Sequence, residues 1–204
     1  VPANAATGVS VRPVLSWKAG RYSIDHNVYI STDVNAVTNG TADMVTRSED
    51  NYAPALDLVK TYYWRVDEVN NAEAYPVWDG PVWRFSTATT INVDNFEAGY
   101  GNTDVNYVWA TWKDGYEVPA NGCSEIGKDI APPGLSTVFR SGTRSLIFRY
   151  NNSGANAFSQ ISAQALKLPI KTTDWSIGSP AALVIYFRGE PNNVPAQLYA
   201  KINN

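Results

Sequence analysis

The chain has 204 residues, enough for two domains of about 100 residues each. Its 16 Lys and Arg against 19 Asp and Glu leave a net charge of −3, and charged residues make up only 17%, so no basic footprint for DNA or RNA exists. The longest apolar run, AALVIYF at 181–187, falls far short of the roughly 20 residues that span a bilayer, which excludes an inserted helix.

In chain order, the N-terminal part reads as short strands parted by turns. VSVRP at 9–13 sets Val9 and Val11 on one face, and LSWKAG at 15–20 does the same with Leu15 and Trp17. HNVYISTD at 26–33 supplies a third strand with Val28 and Ile30 inward. His26, the single histidine, opens it and is expected at the surface, because no motif gives it a nucleophile or an orienting acid. A polar stretch from Val34 to Tyr52 carries Asn39-Gly40, a hairpin or turn signal. TYYWRVDEVN at 61–70 alternates Tyr62, Trp64 and Val66 with Tyr63, Arg65 and Asp67, the pattern of a half-buried antiparallel strand, and GPVWRFST at 80–87 adds another. With no helical window of period 3.6, the spacing is that of a seven-strand sandwich.

These residues resemble the fibronectin type III family. Leu56, Leu58, Lys60, Thr61, Tyr62, Tyr63, Trp64, Arg65 and Val66 look like that family's strand F and its approach. Trp17 stands where the family keeps a core tryptophan of strand B, and Tyr62 matches the tyrosine that bonds back to the backbone at the E–F corner. Leu58 departs from the pattern, which more often has proline there. The resemblance implies an Ig-like sandwich over 1–88 that spaces or presents other modules. HNVYISTD, TYYWRVDEVN and GPVWRFST together are similar to modules in large secreted proteins of planctomycete-like bacteria.

After a short connector, with 89–91 as linker, a second unit is expected over 92–204. Its pattern is again β: YVWATW at 107–112, STVFR at 136–140, RSLIFRY at 144–150, FSQISAQ at 158–164, AALVIYFRG at 181–189 and AQLYAKI at 196–202. The run at 181–187 lacks alternation and reads as a strand buried on both faces. VDNFEAG at 93–99 and SGTRSLIFRY at 141–150 resemble jelly-roll carbohydrate-binding and galactose-binding-like families. That resemblance implies a structural calcium held by Glu97 together with backbone carbonyls of Ser141 and Gly142. A jelly roll needs about eight strands. Since the sequence stops after what reads as a central strand, the expectation is a fragment of a longer protein or a domain completed by a neighbouring copy.

Enzyme signatures are missing: no GxSxG, P-loop or HExxH occurs. Asp94 with Glu97, and Asp114 with Glu117, are three apart, which on a strand points them to opposite faces. Cys123 is the only cysteine, so no internal disulfide or thiolate zinc cluster forms, and it reads as an unreactive thiol. Aromatics reach 12%, with seven Trp and twelve Tyr. Pyranose faces pack on such rings while amides and carboxylates take the hydroxyls. Tyr100, Tyr107, Trp109, Trp112 and Tyr116 cluster with Asn102, Asp104, Asn106 and Asp114, and Trp175 lies in the polar stretch KTTDWSIGS. Trp109 and Trp112 are three apart, so in one regular strand both cannot face solvent. Asn39-Gly40-Thr41 and Asn151-Asn152-Ser153 fit a glycosylation pattern but read as turns. The composition suits a secreted bacterial protein. The expected function is a non-catalytic extracellular or cell-surface module pair that spaces and binds glycan. A structural subunit or adhesin of a surface layer or fibre, completed by β-strand addition, is the alternative.

Overall fold

The structure, a computed structural model of the chain, describes residues 2–97, 99–101, 107–116, 118–123, 126, 135–156 and 158–202, with backbone alone at 135 and 136. It is all β in character, as the alternation predicts. Strands β1 (Ala6–Val9), β3 (Asp25–Ser31), β4 (Met44–Arg47), β6 (Thr61–Val69), β7 (Val77–Trp78) and β8 (Trp83–Thr87) form one six-stranded sheet of order β1-β8-β6-β3-β4, with β7 also paired to β6. The short strands β2 (Leu15–Ser16) and β5 (Asn51–Tyr52) pair antiparallel in a separate two-stranded sheet.

β6 is central because its alternation serves two neighbours: Tyr62 lies opposite Phe85 on β8, and Val66 opposite Val28 on β3. Its inward residues meet a core built on Leu15, Leu56, Trp64 and Phe85, with Trp17 and Ile30 packed against it. Phe85 is almost fully buried, so truncation to alanine is expected to cost about 3–5 kcal/mol. The Tyr62 hydroxyl accepts the Asp57 N–H at 3.1 Å.

Three expectations for this part are corrected. Between β3 and β4 lies a helix, α1 (Val34–Thr38), which no 3.6 period announces because five residues are too few to show one. Its start is set by Asp33, whose side chain accepts the Asn35 N–H at 2.8 Å. Asn39 is its C-cap and Gly40, at φ +67°, releases the chain, so Asn39-Gly40 forms a turn, the second of the two readings, and that turn ends a helix.

The outer face of β6 is the second correction. Arg65 and Asp67 are buried, the latter to 1% exposure, because α1 and the backbone at Gly80 cover them. Arg65 Nη2 meets Asp67 Oδ2 at 2.8 Å, its Nη1 donates to the Thr38 carbonyl at 2.8 Å, and Gly80 N–H donates to Asp67 Oδ1 at 3.0 Å. The guanidinium also stands 5.0 Å from the centroid of the Tyr29 ring. Even so, burial pushes the Asp67 carboxyl above its ordinary range. The third concerns His26, which is 3% exposed and not at the surface. It lies edge-on to Trp17, with ring centroids 5.3 Å apart, and its Nδ1 is 2.7 Å from Glu68 Oε2.

The C-terminal half is less regular. Helix α2 (Val108–Thr111) takes the place of the strand expected at 107–112, and this turn sends Val108 inward and Trp109 outward. Strand β9 (Trp112–Lys113) pairs antiparallel with β12 (Ser162–Ala163), and β10 (Leu135–Ser136) with β11 (Ser145–Leu146). A core forms around Tyr100, Val108, Cys123 and Ile126, against which Phe96, Trp112, Leu146 and Phe148 pack. Residues 181–189 and 196–202 contain no strand, contrary to expectation. Burial on both faces needs a layer on each side, and Val184, Tyr186 and Phe187 are instead exposed. Contacts to the stretch 181–202 include the Arg140 guanidinium over the Tyr186 ring at 3.7 Å and the Tyr150 hydroxyl donating to the Val194 carbonyl at 2.7 Å.

Candidate functional site

The segment VDNFEAGY shapes the site through two carboxylates. Asp94 turns the chain: its Oδ1 accepts the Phe96 N–H at 2.9 Å, and Phe96 takes a positive φ of 61°. Asp94 Oδ2 then accepts the Tyr100 hydroxyl at 2.5 Å and Trp112 Nε1–H at 2.7 Å. Phe96 sits between those rings, with centroids 6.3 Å from Tyr100 and 6.0 Å from Trp112. Burial first, then the hydrogen bond to Asp94 and its charge, push the Tyr100 hydroxyl far above its ordinary pKa, so it stays protonated as a donor. Tyr100 and Trp112 therefore belong to the core of this half. Their polar atoms are tied to Asp94, and Trp112 remains half-buried.

Other aromatics face outward. Tyr107 at the start of α2 stacks on Trp109, with centroids 4.2 Å apart and planes 24° from parallel, and Trp109 is 36% exposed. Tyr116 is 74% exposed. Asp114 holds the turn beneath Tyr116: its Oδ1 accepts the Tyr116 N–H and its Oδ2 the Ile126 N–H, each at 3.0 Å. Its carboxylate thus serves the backbone first. Trp175 is half-buried, with Nε1–H donating to the Thr172 carbonyl at 3.3 Å. Asn102, Asp104, Asn106 and Glu117 lie outside the described residues. Elsewhere, a depression of about 450 Å³ lined by Thr7, Val59, Lys60, Ser86 and Thr89 lies in the N-terminal part, apart from these rings.

Glu97 and the SGTRS turn come together, but through donors. Glu97 Oε1 accepts the N–H groups of Thr143 at 2.7 Å and Arg144 at 2.9 Å, and Oε2 accepts the Thr143 hydroxyl at 2.6 Å. These bonds hold the Glu97 carboxyl below its ordinary range, the Thr143 hydroxyl contributing most. Gly142 has φ +81°, and a Cβ there would collide with Glu97 Oε1. A calcium ion wants converging oxygens. Here N–H and O–H groups converge on the carboxylate, and no group of three or more His, Cys, Asp or Glu gathers among the described residues. The Ser141 and Gly142 turn is present; the bonds that Glu97 makes are to the two residues after it.

Cys123 is fully buried, and burial together with the Asp114 charge pushes its thiol up to about 11. Sequence reasoning did not find the role of Asp94. Its signal is an aspartate two residues before a phenylalanine with no reason of its own to adopt positive φ.

No protein-family model matches the chain, and no curated protein matches it. Among solved structures it is similar to the alpha-L-rhamnosidase from Dictyoglumus thermophilum, with 18% identity and a TM-score of 0.36, over 65% of this chain. The chain spans 15% of that protein's length, and at this TM-score nothing about activity or ligand carries over. No helix among the described residues is long and apolar enough to cross a membrane.

Proposed function

We propose that the chain is a non-catalytic extracellular module pair in a larger secreted or cell-surface protein, in which a fibronectin type III-like spacer carries a jelly-roll-like, glycan-binding unit. The observation that carries this reading is the stacked Tyr107–Trp109 pair, whose outward indole offers the flat apolar face on which a pyranose packs. Tyr116 is a second ring of the same kind. The Tyr62–Asp57 corner bond supports the spacer assignment, and the contact of Glu97 with the turn after Gly142 supports the jelly-roll one. A polysaccharide pull-down and glycan array test it. Trp109→Ala and Tyr116→Ala should each weaken binding about tenfold, equal to about 1.4 kcal/mol, with the near-UV spectrum retained. Trp112→Ala should instead disturb folding. Absence of saturable binding to any glycan, or binding indifferent to both outward rings, defeats the proposal.

Calcium belongs to the same proposal as a structural ion. Glu97 would have to exchange the N–H and O–H groups of the turn for the ion, joined by carbonyls of Ser141 and Gly142. Melting in chelator and in millimolar calcium checks this, and an unchanged Tm removes the ion.

A second reading rests on a different observation. The run 181–187 is uncharged, rich in β-branched and aromatic side chains, and outside any ladder, which suits strand addition from a neighbouring copy in a fibre or surface layer. Concentration-dependent polymers by electron microscopy without sugar binding favour it. A monomer at every concentration excludes it.

A further inference from the structure

The corner around Asp57 is held rigidly from within the N-terminal sheet. Besides the Tyr62 bond, Thr87 Oγ1–H donates to the Asp57 carbonyl at 2.8 Å, Val59 N–H to Ala88 at 3.1 Å, and Thr87 N–H to Lys60 at 2.8 Å. Leu56 N–H donates to the Val11 carbonyl at 2.9 Å, which fixes Val11 beside it. Leu58 N–H takes none of these partners. It donates instead to the carbonyl of Gly178, at 3.0 Å and 120 residues further along the chain.

Other contacts gather at the same spot. Ser179 Oγ–H donates to Asp57 Oδ1 at 2.8 Å. Gly178 lies so close that a Cβ there would stand 3.0 Å from Val11 Cγ1 and 3.1 Å from Leu58 Cγ, and its φ of +73° disfavours any other residue. Arg12 and Asp174 face each other at 3.8 Å, an exposed pair that adds little energy but the right sign. The loop itself is preformed. Asp174 Oδ1 accepts both the N–H and the hydroxyl of Ser176, and Trp175 is tied to Thr172.

We propose that residues 174–179 are a latch that docks the C-terminal half onto the corner formed by Val11, Arg12, Asp57 and Leu58, so that the two halves move as one body. The choice of Leu58 fits this role. Proline, the residue that the fibronectin pattern favours there, has no N–H and could not donate to Gly178. Trp175 is tied within its own loop by the bond to Thr172. None of this depends on what the second half binds.

Amide exchange on the full chain tests the latch residue by residue. In the wild type, the Leu58 N–H should exchange about tenfold or more slowly than an unstructured amide. Gly178→Val should abolish that slowing while the Val59 N–H, bonded to Ala88 inside the corner, stays protected and reports an intact sheet. Leu58→Pro is the second variant, and small-angle scattering should show it more extended than the wild type. An unprotected Leu58 amide in the wild type, protection unchanged in Gly178→Val, or scattering unchanged in Leu58→Pro each overturns the latch.

Discussion

Glu97 and Thr143 are joined twice, backbone N–H to Oε1 at 2.7 Å and hydroxyl to Oε2 at 2.6 Å, across 46 residues of chain. The carboxyl is held below its ordinary value of 4.5, so its ionised form is favoured by folding. Its contribution is complete above pH 4.5 and fades as pH falls through the lower folded value. Glu97→Gln should therefore lower Tm at pH 7, and the gap from wild type should narrow steadily below pH 4.5. A gap of equal size at pH 7 and pH 3 would show that charge plays no part.

The buried pair of Arg65 and Asp67 makes a different kind of prediction. Removing one partner strands a charge with almost no access to water, so Asp67→Asn is expected to cost about 3–5 kcal/mol in denaturant unfolding. Replacing both, as Arg65→Met with Asp67→Leu, should cost less than either single change, because the desolvation that raises the Asp67 pKa then disappears. Additive single and double costs would refute that coupling.

Asp94 is expected to be the most sensitive position in the C-terminal half. Asp94→Ala leaves the Tyr100 hydroxyl and the Trp112 indole N–H without their acceptor, at about 1–3 kcal/mol for each stranded donor. Asp94→Asn keeps one acceptor oxygen and should lie between wild type and alanine. Near-UV dichroism of Trp112 and Tyr100 reads both variants, and a full native signal in Asp94→Ala would contradict the assignment.

Cys123 gives a reporter that needs no mutation. With its pKa pushed up to about 11 and its side chain fully buried, the thiol should react slowly with a disulfide reagent at pH 8 and rapidly in denaturant. Prompt stoichiometric labelling of the folded chain would place the thiol at the surface.

Period-2 alternation made the central sheet legible, because β6 has one face against a core in which Trp64 and Phe85 meet. It misjudged the other face for a physical reason: Arg65 and Asp67 carry the side chains of a solvent face, yet a five-residue helix that periodicity cannot detect lies over them. The aromatic cluster was legible as composition only. Which rings point outward depends on one helical turn at 108–111 and on a carboxylate at Asp94, and neither leaves a period to read. The contact between Gly178 and Leu58 had no signal beyond the missing proline, since long-range docking is set by three-dimensional proximity.

β1 and β8 run parallel and adjacent, with Ala6 opposite Phe85 and Val9 opposite Thr87. Ala5 N–H donates to Arg84 at 2.7 Å at one end of the pair, and Ala88 N–H to Val9 at 2.8 Å at the other. The chain thus enters this sheet at one end and leaves it at the opposite end. A load applied between residues 5 and 88 pulls the two strands in opposite directions along their length. The bonds between them are then sheared together and cannot unzip one at a time, so under tension this part of the chain should yield abruptly at high force and bear traction until it does.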